Sequence, residues 1–292
     1  MLVIGSRGSK LALWQANHIQ GHLERLGHEC RIEVITTTGD RFQSGPLKEV
    51  GNKGLFTKEI EEALLDGRVD LAVHSLKDMP NELPDGLKIV ATPPREDVRD
   101  AIIGHKLDEL PQGARVGTGS LRRMAQLKAL RSDLHVEGIR GNVDTRLRKL
   151  DEGQFDSIVL AAAGLNRLGW ADRIAELLPV EVMCPAAGQG CLAIETRDDG
   201  GPGMQACLEL DDAATHACID AERAVLSVLG GGCHVPIGVH ATNDGKLHVR
   251  GVVIAPDGSR IVKQEIEGSD PVATGRELGM RLLDNGAREI LA

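Results

Sequence analysis

Apolar residues along this chain recur with two alternating periods. Residues 2–5 read as a short buried strand, residues 10–26 repeat apolar positions at helical spacing, and residues 30–37 are rich in β-branched side chains. A helix is expected over 57–65 and a short apolar strand over 69–74. Pro93 and Pro94 interrupt the pattern, which then restarts with strands over 115–117, 135–139 and 157–162 and helices over 121–130 and 143–150. Alternation of this kind predicts two α/β units with mainly parallel sheets. Beyond residue 212 the pattern changes. Residues 213–229 form one long helical stretch closed by three glycines, and 236–240, 246–254 and 259–266 alternate as strands. The turn Ala255-Pro256-Asp257-Gly258 joins the last two as a hairpin, and 271–285 reads as a final helix. The segment 185–195 leads back to the first unit. The expected domains are therefore 1–92 with 191–209, 96–184, and a small C-terminal α+β domain over 213–292.

Composition narrows the class. A chain of 292 residues exceeds what one core usually holds, which agrees with two or three domains. Aromatics make up only 2% and Tyr is absent, so the core must be built from Leu, Val, Ile and Ala. A formal net charge of −9 without a basic tail argues against a nucleic-acid partner. The apolar stretch 157–165 is too short to cross a bilayer, and the first residues read as a strand rather than a secretion signal. The six cysteines, at 30, 184, 191, 207, 218 and 233, form no C-x-x-C pair, so they suggest neither a disulfide framework nor a metal centre. Reduced thiols in a cytoplasmic protein that binds neither membrane nor nucleic acid are the expectation.

Chemistry first shows where the cations fall. In Val116-Gly-Thr-Gly-Ser120-Leu-Arg122-Arg123 a strand ends, a glycine-rich turn follows, and Ser120 is placed to cap the next helix. Two arginines then occupy the first turn, where the helix dipole disfavours a cation by about 0.3–1 kcal/mol. A bound anion reverses that sign. Arginines flank Asn142, an expected cap, in Arg140-Gly-Asn142-Val-Asp-Thr-Arg146. Arg7-Gly-Ser9-Lys10 and His74-Ser-Leu-Lys77-Asp78 likewise follow strands. Any one of these arginines reads equally well as a solvated surface charge. Four such motifs at strand ends predict a cationic cleft between two α/β domains, for a ligand with several carboxylates or phosphates. The nucleotide loop G-x-x-x-x-G-K-[ST] is absent. Asp78 alone reads equally as a turn residue before Pro80 or as a working carboxylate. His74 reads as a packed strand-end residue rather than a general base.

Several segments together resemble the porphobilinogen deaminases: Arg7-Gly-Ser9-Lys-Leu-Ala-Leu-Trp14, Gly51-Asn-Lys53-Gly-Leu-Phe-Thr-Lys58, Val73-His-Ser-Leu-Lys-Asp-Met-Pro80, residues 117–123, 140–147 and 185–190, and Gly231-Gly-Cys233-His-Val-Pro-Ile-Gly238. They occur in family order over nearly the whole chain. The resemblance implies two periplasmic-binding-protein-like α/β domains plus the small C-terminal domain, and a monomer acting in tetrapyrrole and haem biosynthesis. It implies a dipyrromethane cofactor held by a thioether to Cys233, on which four porphobilinogen units condense with loss of ammonia. Asp78 is then the catalytic carboxylate, stabilising positive charge on pyrrole nitrogens. Ser9, Lys77, Ser120, Arg122, Arg123 and Arg146 match cofactor-binding positions. Arg7, Arg140, Arg146 and Arg167 match substrate-binding ones. Lys53 and Lys58 fall with a glycine-rich loop over 39–54 read as a lid. Two positions depart from the family pattern: Gly119 replaces a serine, and Asp144 replaces a glycine, placing a carboxylate near Arg140 and Arg146.

Two rival readings remain at this stage. A periplasmic-type solute-binding protein would share the two lobes and the anion-binding strand ends, but leaves Cys233 and the third domain without a role. A thiol hydrolase built on Cys233 and His234 rests on adjacency alone, and His216 with Cys218 is too small a set for a metal.

Overall fold

The computed structural model describes residues 1–41, 55–230 and 236–292. The chain falls into two compact units, Met1–Arg95 with Cys191–His216, and Glu96–Gly190 with Ala217–Ala292.

The first unit runs β1 (Leu2–Ser6), α1 (Lys10–Arg25), β2 (Cys30–Val34), α2 (Thr38–Arg41), α3 (Lys58–Leu65), β3 (Leu71–Ser75) and β4 (Leu87–Ala91). It is completed from far along the chain by β10 (Leu192–Arg197) and α7 (Pro202–Cys207). The sheet order is β2-β1-β3-β10-β4, with β1 parallel to β2 and β3 and with β10 antiparallel to both of its neighbours. Ala16, Ile19 and Leu23 share one face of α1 and pack on Ile4, Leu71 and Val73. Ile60, Ala63 and Leu64 of α3 pack on Val69 and Ala72. Each large aliphatic side chain buried this way is worth about 1.5–3 kcal/mol.

The second unit contains β5 (Asp100–Gly104), β6 (Arg115–Gly117), α4 (Leu121–Leu130), β7 (His135–Glu137), α5 (Val143–Asp151), β8 (Ser157–Ala161), α6 (Ala162–Arg167) and β9 (Ile174–Leu178). Its sheet order, β7-β6-β8-β5-β9, repeats the first: β6 is parallel to β7 and β8, and the fourth strand, β5, is antiparallel to its neighbours. The chain from α8 (Ala213–Leu229) onward forms an antiparallel sheet of β11 (Ile237–Asn243), β12 (Leu247–Ile254) and β13 (Ile261–Gly268), followed by α9 (Pro271–Leu282) and a last turn, α10 (Arg288–Leu291). Ala221, Val225 and Leu229 of α8 and Leu278 and Leu282 of α9 share a core with Val239, Val249 and Val253. The last helix is shorter than its apolar pattern suggests, because Asn285 and Gly286 leave helical dihedrals. No helix among the described residues is long and apolar enough to cross a membrane.

Candidate active site

In the first unit two of the flagged motifs share one sheet edge, because β1 and β3 are parallel neighbours. Beyond β1, Ser9 caps α1 by accepting the Ala12 N–H at 3.3 Å, and Arg7 is half-buried. Beyond β3 the chain makes one tight helical turn, Leu76–Asp78. Leu76 and Met79 are buried, and the Leu76 N–H donates to the Cys191 carbonyl at 3.1 Å, so the turn is clamped from its apolar side. Lys77 and Asp78 are thereby left on the outer side, with Asp78 exposed. Ser75 is tied to α1 through the Gln15 amide, which donates to Ser75 Oγ at 2.8 Å. His74 is a buried structural residue, its Nε2 lying 3.1 Å from Glu195 Oε2 on β10.

The second unit brings its arginines to the corresponding edge, since β6 lies parallel between β7 and β8. Ser120 caps α4, with its hydroxyl 3.4 Å from the Arg123 N–H. Arg122 and Arg123 then turn inward, 4% and 5% exposed, onto Asp100 at the start of β5, which is 0% exposed. Arg122 Nη1 donates to Asp100 Oδ2 at 2.7 Å and to the Cys184 carbonyl at 2.6 Å. Arg123 Nε donates to Asp100 Oδ1 at 2.9 Å, and Nη1 to the Val159 carbonyl at 3.2 Å. Gln189 closes the network by donating to Asp100 Oδ1 at 2.8 Å. Burial alone would raise the Asp100 carboxyl; the Arg122 and Arg123 guanidiniums outweigh it and hold Asp100 far below the usual carboxylate range. The first-turn arginines therefore do meet an anion, and the protein itself supplies it. Arg122 Nε, however, is buried without a partner among the described residues.

The remaining flagged arginines belong to the same unit. Arg146 Nε donates to the Gly141 carbonyl at 2.7 Å, Arg140 is exposed, and Arg167 is 9% exposed with Nη2 donating to the Gly190 carbonyl at 2.7 Å. Asn142 holds the N-cap position of α5 without a side-chain capping bond, contrary to the expected cap. Asp144 instead accepts the Thr145 N–H at 2.8 Å within the first turn of α5. At Gly119 a side chain would begin 2.9 Å from the Ile139 carbonyl oxygen and 3.8 Å from Arg146 Nη2. Lys58 belongs to α3, not to a loop, and pairs with Glu62 at 3.9 Å. Cys233, His234, Lys53 and most of the expected lid lie outside the described residues. Sequence reasoning missed Asp100 and Gln189; an acid opening the apolar run Asp-Ala-Ile-Ile was the one available signal.

A family model described as "Porphobilinogen deaminase, dipyromethane cofactor binding domain" matches residues 2–202, and its companion, "Porphobilinogen deaminase, C-terminal domain", matches 216–285. A curated porphobilinogen deaminase from Thiobacillus denitrificans is 52% identical, covering 99% of this chain and 97% of the relative. Another from Chromobacterium violaceum is 50% identical over 100% of this chain and 97% of the relative. Among solved structures, a periplasmic substrate-binding protein of an ABC transporter from Coxiella burnetii aligns over 72% of this chain and 91% of its own, with TM-score 0.45 and 14% identity.

Proposed function

The chain belongs to the porphobilinogen deaminase family, and from that membership we propose that it is a transferase joining four porphobilinogen molecules head to tail into hydroxymethylbilane, with release of ammonia. The reaction builds on a covalent dipyrromethane primer, and the donor set suits such a group. Its arms are acetates and propionates, and in the buried network around Asp100 the Arg122 Nε, on a side chain 4% exposed, has no partner among the described residues. A buried polar atom without a partner is costly unless a ligand meets it. That unmatched buried donor is the observation that carries the ligand assignment.

Bound through Cys233, the primer supplies the pyrrole carbon on which the chain grows. Ser9, Lys77, Ser120, Arg122, Arg123 and Arg146 hold its carboxylate arms, and Asp78 accepts its pyrrole N–H groups. Arg7, Arg140, Arg146 and Arg167 take the carboxylates of the incoming porphobilinogen. The arginines orient and the carboxylate stabilises: Asp78 offsets positive charge developing on pyrrole nitrogen, while fixed guanidinium forks place the reacting carbon. We take the chain as three domains, 1–92 with 191–209, 96–184 and 213–292, a division supported by a distinct main core on each sheet, the second and third being joined by a small cluster of Ala125, Cys184, Val252 and Ile254. A cytoplasmic monomer is the proposed state, in keeping with free thiols at Cys30, Cys184, Cys191, Cys207 and Cys218.

The deciding experiment is intact mass of the denatured protein beside Cys233→Ser. The expected result is a gain equal to two condensed porphobilinogen units in the parent and none in the variant. A parent that stays unmodified after incubation with porphobilinogen would sink the assignment.

A further inference from the structure

Arg7 is held by more than its own strand. Its Nε donates to Asp40 Oδ1 of α2 at 3.1 Å, and Nη2 donates to the same oxygen at 2.5 Å. Asp40 is fixed in turn by Thr37, whose backbone N–H and hydroxyl donate to Oδ2 at 3.2 and 2.8 Å. The Phe56 ring covers one face of the guanidinium, with Arg7 Cζ 4.2 Å from the ring centroid. This cradle is built into the backbone. Phe56 lies so close against residue 39 that a Cβ there would come within 2.2 Å of the ring, which only glycine permits. The Gly39 N–H donates to the Leu55 carbonyl at 2.8 Å, and the Thr38 N–H to Glu59 Oε1 at 2.8 Å.

A guanidinium has two edges that accept a carboxylate bidentately, Nε with Nη2 and Nη1 with Nη2. Asp40 occupies the first. Nη1 has no partner among the described residues, and Arg7 and Asp40 each keep 21% of their side-chain surface exposed, so the second edge remains reachable. We propose that Asp40 and Phe56 are positioning residues that aim the Nη1 edge of Arg7 at a carboxylate arm of the incoming porphobilinogen. This rests on the substrate role given to Arg7 above. Burial works to raise the Asp40 carboxyl, but hydrogen bonds from Arg7 and Thr37 outweigh it and hold it below the ordinary range, so the clamp stays charged near neutral pH. Asp40 also cancels much of the Arg7 charge, so recognition depends on the orientation of the donor pair more than on net attraction.

The test is steady-state kinetics of Asp40→Asn as holoenzyme, with cofactor content confirmed by intact mass and folding by a melting curve. Asparagine keeps the size and an acceptor but loses the second charged oxygen. The expected result is a KM for porphobilinogen raised about tenfold, or about 1.4 kcal/mol of binding, with kcat within about twofold. Phe56→Leu should give the same KM-only signature at smaller size. An unchanged KM, or a loss of kcat at unchanged KM, overturns the proposal. A lowered KM does so as well, because it would make Asp40 a competitor of the substrate for Arg7. Should Asp40→Asn fail to fold or to carry cofactor, Phe56→Leu decides by the same criterion. A parent protein that does not turn over porphobilinogen overturns the functional reading itself, and this inference with it, before any variant is compared.

Discussion

At the scale of single residues, Asp78, the proposed catalytic carboxylate, and Asp100 stand in opposite settings. Asp78 is exposed on a turn whose fixed points are Leu76 and Met79, so the fold does not depend on its side chain. Asp78→Ala is expected to lower kcat by roughly 10²–10³-fold, the usual worth of one preorganised charge-stabilising group. Its melting temperature and its cofactor mass should stay those of the parent; a kcat within tenfold of the parent would remove the catalytic assignment. Asp100 is the reverse case. Removing its charge strands two buried guanidiniums, and Asp100→Asn is expected to cost about 3–5 kcal/mol at neutral pH. The sign with pH follows from the lowered carboxyl: its stabilisation is complete above the ordinary value of 3.8 and fades as pH falls through the folded value. Urea midpoints should therefore drop on acidification below about pH 4 more steeply in the parent than in the variant. The arginines were legible because two cations in a helix first turn contradict the dipole. Their partner was not, because Asp100 lies 22 positions from Arg122 in sequence and opens a strand that otherwise reads as plain core.

Among the secondary-structure elements, α3 carries a buried titratable group. Glu61 is 6% exposed on its sheet-facing side, and Glu195 on β10 is 0% exposed, paired to His74. Burial and the neighbouring Glu195 charge raise the Glu61 carboxyl, with His74 pulling in the opposite direction and Glu62 adding to the rise. A raised carboxyl stabilises while it is protonated and loses that contribution as pH rises through its folded value. Glu61→Gln is thus expected to flatten the parent's decline in urea midpoint over the pH window that opens above the ordinary glutamate value of 4.5. Identical pH profiles for the two proteins would show that Glu61 does not titrate in that window. The elements themselves were unevenly legible. Helices α1 and α4 show in the apolar spacing together with serines at their caps. Strand β9, Ile-Ala-Glu-Leu-Leu, is written largely in helix-forming residues, and only its pairing with β5 makes it a strand.

Over the whole molecule, the formal charge of −9 says nothing of where the cations fall, so the class of ligand was read from their positions, not from their number. The alternation of strands and helices gave the two α/β sheets and the change of pattern gave the third. It did not give the antiparallel fourth strand in each sheet, because that pairing joins segments far apart in sequence and leaves no local trace. This arrangement also sets an order of events in time. Strands β3 and β4 touch only through β10, so on a growing chain the first sheet waits for Leu192–Arg197 to be made. Until then β3 presents a bare hydrogen-bonding edge and β4 has no partner, while the intervening segment is synthesised. The sheet begun first therefore closes after the second, whose last strand ends at Leu178, and its folding rate is set by a non-local contact spanning more than a hundred residues.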